Sequence, residues 1–168
     1  GALSIRTIDK HSFRVGDHDI GSLGRKSRAL VCYLAITETG EETRDRLVGL
    51  LWSETEEERA RASLRQSLYE IREAFDAAGY DGLTSDRFRI GLDRSRIDVD
   101  LWNILDDAVA GIPHPILLQS ERPIEKLLDE FETLDGAFQV WLAAKRQAIG
   151  DRLTRQFELL LRNDTKPL

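Results

Sequence analysis

The sequence is poor in the side chains that most often carry metal, redox or covalent chemistry. Among 168 residues there is no methionine, one cysteine, three histidines and four prolines. The lone Cys32 excludes an internal disulfide and fits a reducing compartment, so a cytoplasmic location is expected. No apolar run approaches the roughly 20 residues that a membrane-spanning helix needs, and no secretory leader is read, so no membrane partner is expected. With no methionine and a Gly-Ala start, the sequence reads as a segment of a longer protein. Asp17-His18-Asp19 has the composition of a turn rather than of a metal site, and His114 sits alone between prolines. Gly24-Arg25-Lys26-Ser27 lacks the spacing of a phosphate loop. Cys32 has no His/Asn constellation to activate it, and Asp98 with Asp100 is explained by helix capping before catalysis. These absences argue against an enzyme and leave no cofactor or metal to expect.

What is present is charge, and it is unevenly spread. The net charge is −6, which argues against a generic polyanion binder. Residues 1–97 hold 16 basic and 17 acidic side chains, whereas residues 98–168 hold 8 and 13. The acidity belongs mainly to the C-terminal part. Contact of the first part with a nucleic acid would therefore depend on locally grouped arginines.

Hydrophobic periodicity divides the first part. Leu3, Ile5, Phe13 and Val15 follow an imperfect alternation, with a turn at residues 16–19, so residues 1–22 are predicted to form a small antiparallel sheet. A helix is predicted from Ser27, with Leu30, Val31, Leu34 and Ala35 inward, followed by a polar loop at 37–42. Thr43 can cap a short helix carrying Leu47, Val48, Leu50 and Leu51. Ser53 with Glu56, or Thr55 with Glu58, matches a capping box for the next helix. In that helix, over 59–75, Leu64, Leu68, Ile71 and Phe75 repeat at helical spacing, leaving Arg59, Arg61, Arg65, Gln66, Tyr69 and Arg72 outside. Residues 83–92 read as a hairpin turning near Ser85-Asp86, with Phe88, Ile90 and Leu92 on one face and Arg87 and Arg89 on the other.

Sheet, helix, short helix, longer helix and hairpin, in that order, make a winged helix-turn-helix. Its third helix would enter the major groove of duplex DNA. Arg61, Arg65, Gln66 and Tyr69 are the candidate base contacts, since Arg and Gln offer planar bidentate donors. Arg25, Lys26 and Arg28 at the first helix, Arg59, and Arg87 and Arg89 on the wing are the candidate phosphate contacts.

At this point a family comes into view. The stretches GRKSRALVCYLAI (24–36), LVGLLW (47–52), ARASLRQSLYEIREAF (60–75), RFRIGL (87–92) and IDVDLW (97–102) resemble, in order, bacterial transcriptional activators of the antibiotic-regulatory (SARP) type. The resemblance implies a response-regulator-like winged helix followed by the helical bacterial transcriptional activation domain (BTAD), built of tetratricopeptide-like hairpins. It also implies double-stranded DNA as partner, with protomers side by side on direct repeats, and contact with RNA polymerase. The loop before the recognition helix is the polymerase-contacting element of such proteins, which points to Glu54, Glu56 and Glu57.

The expected division is a winged-helix domain over 1–97 and the first part of a helical domain over 98–168. The fold class is mainly α with small β-sheets (α+β). In the second part, Asp98 or Asp100 is expected to cap a helix through Val109, and Pro123 to start a helix running through Phe131. Residues 137–162 read as one long helix or two, with Gly150 a candidate break. About 70 residues are too few for the three repeats such arrays generally need. The last helix is expected either to fold back on the winged helix or to pair two chains as a homodimer. The reading favoured is sequence-specific DNA binding in a bacterial regulator. The alternative is a protein-interaction or dimerisation module at the front of a signalling protein.

Overall fold

The computed structural model describes residues 1–8, 12–119 and 121–164. Residues 9–11 of the expected first sheet, Ser120 and residues 165–168 of the C-terminal part lie outside the described residues. The first three strands are β1 (Leu3–Arg6), β2 (Ser12–Val15) and β3 (His18–Asp19), paired antiparallel as the alternation predicts. The sheet then gains a fourth member. Residues 97–99 form β7 (Ile97–Val99), which runs parallel to β1 with Leu3 opposite Ile97 and Ile5 opposite Val99. The order is β3-β2-β1-β7.

The helix α1 (Arg25–Ile36) is the centre of the molecule. Every residue from Ala29 to Ile36 is buried, so the helix is covered on all sides instead of showing one inner face. Cys32 packs there as a small apolar residue, and burial pushes its thiol well above the ordinary value. The expected 37–42 loop ends in a short strand, β4 (Glu41–Thr43), which pairs with β6 (Arg89–Leu92) beside β5 (Leu83–Ser85). Thr43 caps α2 (Arg44–Leu51) as its composition predicts, accepting the N–H of Arg46.

The next helix, α3 (Glu57–Ala78), carries the predicted seam of Ala60, Leu64, Leu68, Ile71 and Phe75. Its N-terminus corrects the capping-box expectation: Glu56 stands at the cap without a side-chain bond. Ser53 is engaged elsewhere, as described below. The helix stops at Gly79, whose φ of 81° closes a left-handed cap.

In the C-terminal part, α4 (Asp100–Val109) starts without a side-chain cap, so neither aspartate has the expected role. Asp98 pairs with Arg6 at 2.7 Å and accepts from Asn103. Asp100, only 5% exposed, accepts from the backbone N–H groups of Thr7 and Ile8 and from the Thr7 hydroxyl, tying α4 to the end of β1. His114 caps the short α5 (Pro115–Leu118) through Nδ1. The helix expected from Pro123 is two 3₁₀ turns, Pro123–Lys126 and Asp129–Phe131. Between them Leu128 has φ of 53° and donates its N–H to the carbonyl of Thr7, which breaks the helical ladder.

One continuous helix, α6 (Gly136–Asp164), completes the described chain, and Gly150 does not interrupt it. Its first half folds back on the winged helix. The Trp141 ring lies 4.8 Å from Tyr33 of α1 and 5.1 Å from Phe138. Leu105, Phe131, Phe138 and Leu142 belong to the same buried cluster as Leu30, Leu47 and Leu64, so one core runs through both parts. The architecture is a winged helix-turn-helix followed by a helical domain, α+β overall. No described helix is long and apolar enough to cross a membrane.

Candidate nucleic-acid interface

The site is built where α2, α3 and the β5–β6 hairpin meet. The hairpin tip is a short turn with its own internal frame. The Asp86 carboxylate accepts the N–H groups of Phe88 and Arg89, both at 2.7 Å, and these bonds hold its carboxyl below the ordinary range. Arg44, the first residue of α2, then binds the tip twice. Its backbone N–H donates to the Phe88 carbonyl at 2.8 Å and its Nε to the Asp86 carbonyl at 3.0 Å. The start of one helix and the end of the hairpin are thereby one rigid piece.

Behind this tip the outer flank of α3 presents Arg61 and Arg65 to Arg44 and Arg87, with Phe88 at the rim. They enclose a groove of about 470 Å³. The sequence predicts Arg61, Arg65 and Arg87 as site residues, and the structure brings these three together. It adds two that sequence reasoning missed. Arg44 follows an N-cap, a position that commonly points outward, but nothing local foretells its contact with a hairpin more than forty residues away. Phe88 is 70% exposed instead of packing with Ile90 and Leu92. The turn set by Asp86 interrupts the alternation that would have turned its ring inward.

The cations of the groove differ in how far they are already engaged. Arg61 pairs with Glu57 at 2.6 Å and lies 3.6 Å from Asp45. No hydrogen bond or ion pair holds Arg59 or Arg65 among the described residues. Arg87 stacks its guanidinium 5.9 Å from the Phe88 ring centre. Tyr69, 57% exposed, donates its hydroxyl to Glu73 at 2.7 Å, and that bond raises its pKa. Gln66 donates to Glu70, whose other oxygen accepts from Ser27 of α1. Glu70 is thus turned toward α1, while Arg72 is turned to the hairpin by its bond to Ser85.

The remaining predicted contacts have other neighbours. Arg89 pairs with Glu41 of the adjacent strand β4 at 3.5 Å. Arg25 donates to the Glu130 carbonyl at 2.7 Å. Arg28 reaches the Glu130 carboxylate at 3.3 Å and the carbonyls of Gly21 and Leu23, with its side chain only 19% exposed. The pair at the start of α1 thus clamps the C-terminal segment. Lys26 lies 5.2 Å over the Trp52 ring. Glu54, Glu56 and Glu57 are exposed on the loop and first turn before the α3 arginines.

No family model matches the chain, and no curated protein matches it. Among solved structures, EmbR of Mycobacterium tuberculosis, in complex with a low-affinity phosphopeptide, is similar with a TM-score of 0.63 and 18% identity. The match covers 93% of this chain and 44% of that one, so this chain spans less than half the length of EmbR. At this identity the likeness is one of fold, and it extends through the winged helix into the helices that follow.

Proposed function

We propose that this chain is the DNA-binding part of a bacterial transcription regulator of the antibiotic-regulatory activator type, located in the cytoplasm. A winged-helix domain over 1–97 would act with the opening of an activation domain over 98–168. The observation that carries the reading is the groove in which Arg44, Arg61, Arg65 and Arg87 converge from three separate elements. In a helix-turn-helix the N-terminal residues of the second helix meet base edges, and Arg61 and Arg65 lie in the first turns of α3. Tyr69, one turn beyond Arg65, continues that ridge, and Gln66 lies beside it toward α1.

The ion pair between Arg61 and Glu57 does not oppose the assignment. An exposed pair of this kind is worth about 0–1 kcal/mol, whereas a bidentate base contact is worth about 1–3 kcal/mol. Exchanging one for the other favours DNA. Phosphate contacts would come from Arg87, Arg59, Lys26 and Arg44, with Arg89 available once it leaves Glu41. Arg25 and Arg28 join them only if the segment around Glu130 moves. The exposed Glu54 and Glu56 would face away from the duplex toward RNA polymerase, with Glu57 joining them only once Arg61 leaves it for a base, and two protomers would lie side by side on direct repeats.

Selection from a pool of random duplexes, followed by fluorescence anisotropy on the enriched sites, tests the proposal. The expected result is one enriched motif that binds far more tightly than random DNA. Enrichment of no motif, even at low salt, would move the fold to the protein-interaction reading that its acidity favours.

A further inference from the structure

Phe88 is the most exposed aromatic side chain among the described residues. Burying a phenylalanine is worth about 1.5–3 kcal/mol, so an outward ring in a hairpin whose Ile90 and Leu92 are buried needs a cause. The cause is the bonding of the tip. Asp86 fixes the N–H of Phe88 and Arg44 fixes its carbonyl. Together they set the backbone on both sides of the side chain and keep the ring at the mouth of the arginine groove. A fixed apolar plate next to Arg87 and Arg44 suits a partner that offers apolar surface between rows of anions. The minor groove of duplex DNA has that composition, with sugar walls and base edges between two phosphate strands.

Resting on the DNA-binding proposal, we infer that Phe88 is a specificity-determining wedge. With α3 in the major groove, the adjacent tip meets the neighbouring minor groove, where the ring enters a base step while Arg87 holds the flanking phosphate. Apolar wedges unstack the step they enter, and pyrimidine–purine steps yield most easily. The wing would thus read deformability and not hydrogen-bond pattern. It would favour TA or CA/TG at the step it faces over a stiff purine–purine step.

The test uses a duplex obtained by selection, with the wing-facing step located by footprinting. That step is varied between TA and GG, and 2-aminopurine is placed beside it. The wild type should prefer TA on the order of tenfold, within the usual cost of a wrong base pair, and should brighten the 2-aminopurine as the step opens. Phe88→Ala should bind both duplexes alike and leave the probe dark, while keeping its preferences at the positions read by α3. Phe88→Leu, still apolar, should recover part of both signals. Because the ring is exposed, all three proteins should melt together. An unchanged step preference and an unchanged probe signal in Phe88→Ala would overturn the wedge while leaving DNA binding in place. Failure of the wild type to bind any duplex would remove the underlying proposal and the wedge with it.

Discussion

Ser53 binds the carboxylate of Asp135 twice, through its backbone N–H at 2.9 Å and its hydroxyl at 2.7 Å. The same carboxylate accepts the N–H of Ala137 in the first turn of α6. One aspartate therefore caps the last helix and holds the loop between α2 and α3. With Arg28 on Glu130, it places the segment 130–135 across the face of the winged helix.

Asp135→Ala should cost more than Ser53→Ala. The first removes a helix cap, about 0.5–2 kcal/mol, together with both bonds of the loop tether; the second removes only the hydroxyl bond and keeps the one from the Ser53 backbone N–H. Urea denaturation of both variants and of the pair checks this. If the tether is shared, the double variant should be no less stable than Asp135→Ala. Full additivity would show that the two residues act separately.

The same site sets a pH dependence. Burial pushes the Asp135 carboxyl up, but the hydrogen bonds from Ser53 and from the start of α6 outweigh it and hold the group below its ordinary value. A carboxylate depressed by folding contributes its full stability above its unfolded value of about 3.9. That contribution is lost as pH falls through the folded value. Between pH 7 and 5 the melting temperature should thus be insensitive to this group. Below about pH 4 the wild type should lose stability faster than Asp135→Asn, which has no such proton to gain. Parallel melting curves down to pH 2.5 would exclude the linkage.

At the hairpin tip, Asp86 accepts two backbone bonds through one oxygen. Asn offers the same acceptor without the charge, and Ala offers none. Asp86→Asn should therefore keep the tip and bind DNA as well as or better than the wild type, since one negative charge has left the tip beside Arg87. Asp86→Ala should loosen the tip and weaken binding by roughly a factor of ten, the loss of about one good contact. Anisotropy with both variants distinguishes turn geometry from charge.

How much of this the sequence discloses depends on how local each cause is. The seam of α3 is legible because Leu64, Leu68, Ile71 and Phe75 repeat within four turns. The cap at Thr43 is legible because it involves residues three apart. Strand β7 is not, since three residues with one partner more than ninety positions earlier leave no local signature. Pro123 and the apolar spacing after it suggest a helix through Phe131, but the bond from Leu128 to Thr7 imposes a left-handed residue in its path and leaves two 3₁₀ turns. The arginines of α1 show the same limit. Their charge is visible in the sequence, and the Glu130 that takes it up is about a hundred residues away. In the candidate site the cationic content was readable, but its meeting with Arg44 and the outward turn of Phe88 were decided by tertiary bonds.

Tyr80 carries a stability prediction apart from the groove. Its hydroxyl is buried with no hydrogen-bond partner among the described residues, and burial together with Asp93 pushes the phenol to about 12. An unsatisfied buried polar group costs about 1–3 kcal/mol, so Tyr80→Phe should stabilise the fold by roughly 1 kcal/mol while keeping the edge contact with Phe75. A Cβ on Gly82 would overlap the same hydroxyl, so Gly82→Ala should destabilise, and less so in the Tyr80→Phe background. Equal penalties in both backgrounds would show that the glycine is required for another reason.

The arginines of the groove should divide into two kinds. Arg65 lies on the ridge of α3 without a hydrogen-bond or ion-pair partner among the described residues, and it can address a base edge. Arg87 stands at the hairpin tip, where phosphate is the nearer target. Arg65→Ala should narrow the gap between the selected duplex and random DNA by about 1–3 kcal/mol. Arg87→Ala should weaken both alike and make the salt dependence shallower by about one unit. If three or four phosphates are neutralised, the wild-type log–log slope should be roughly −3. Titrations of both variants on both duplexes at several salt concentrations decide the matter. Equal losses on specific and random DNA for the two variants would show that the groove attracts the duplex without reading it.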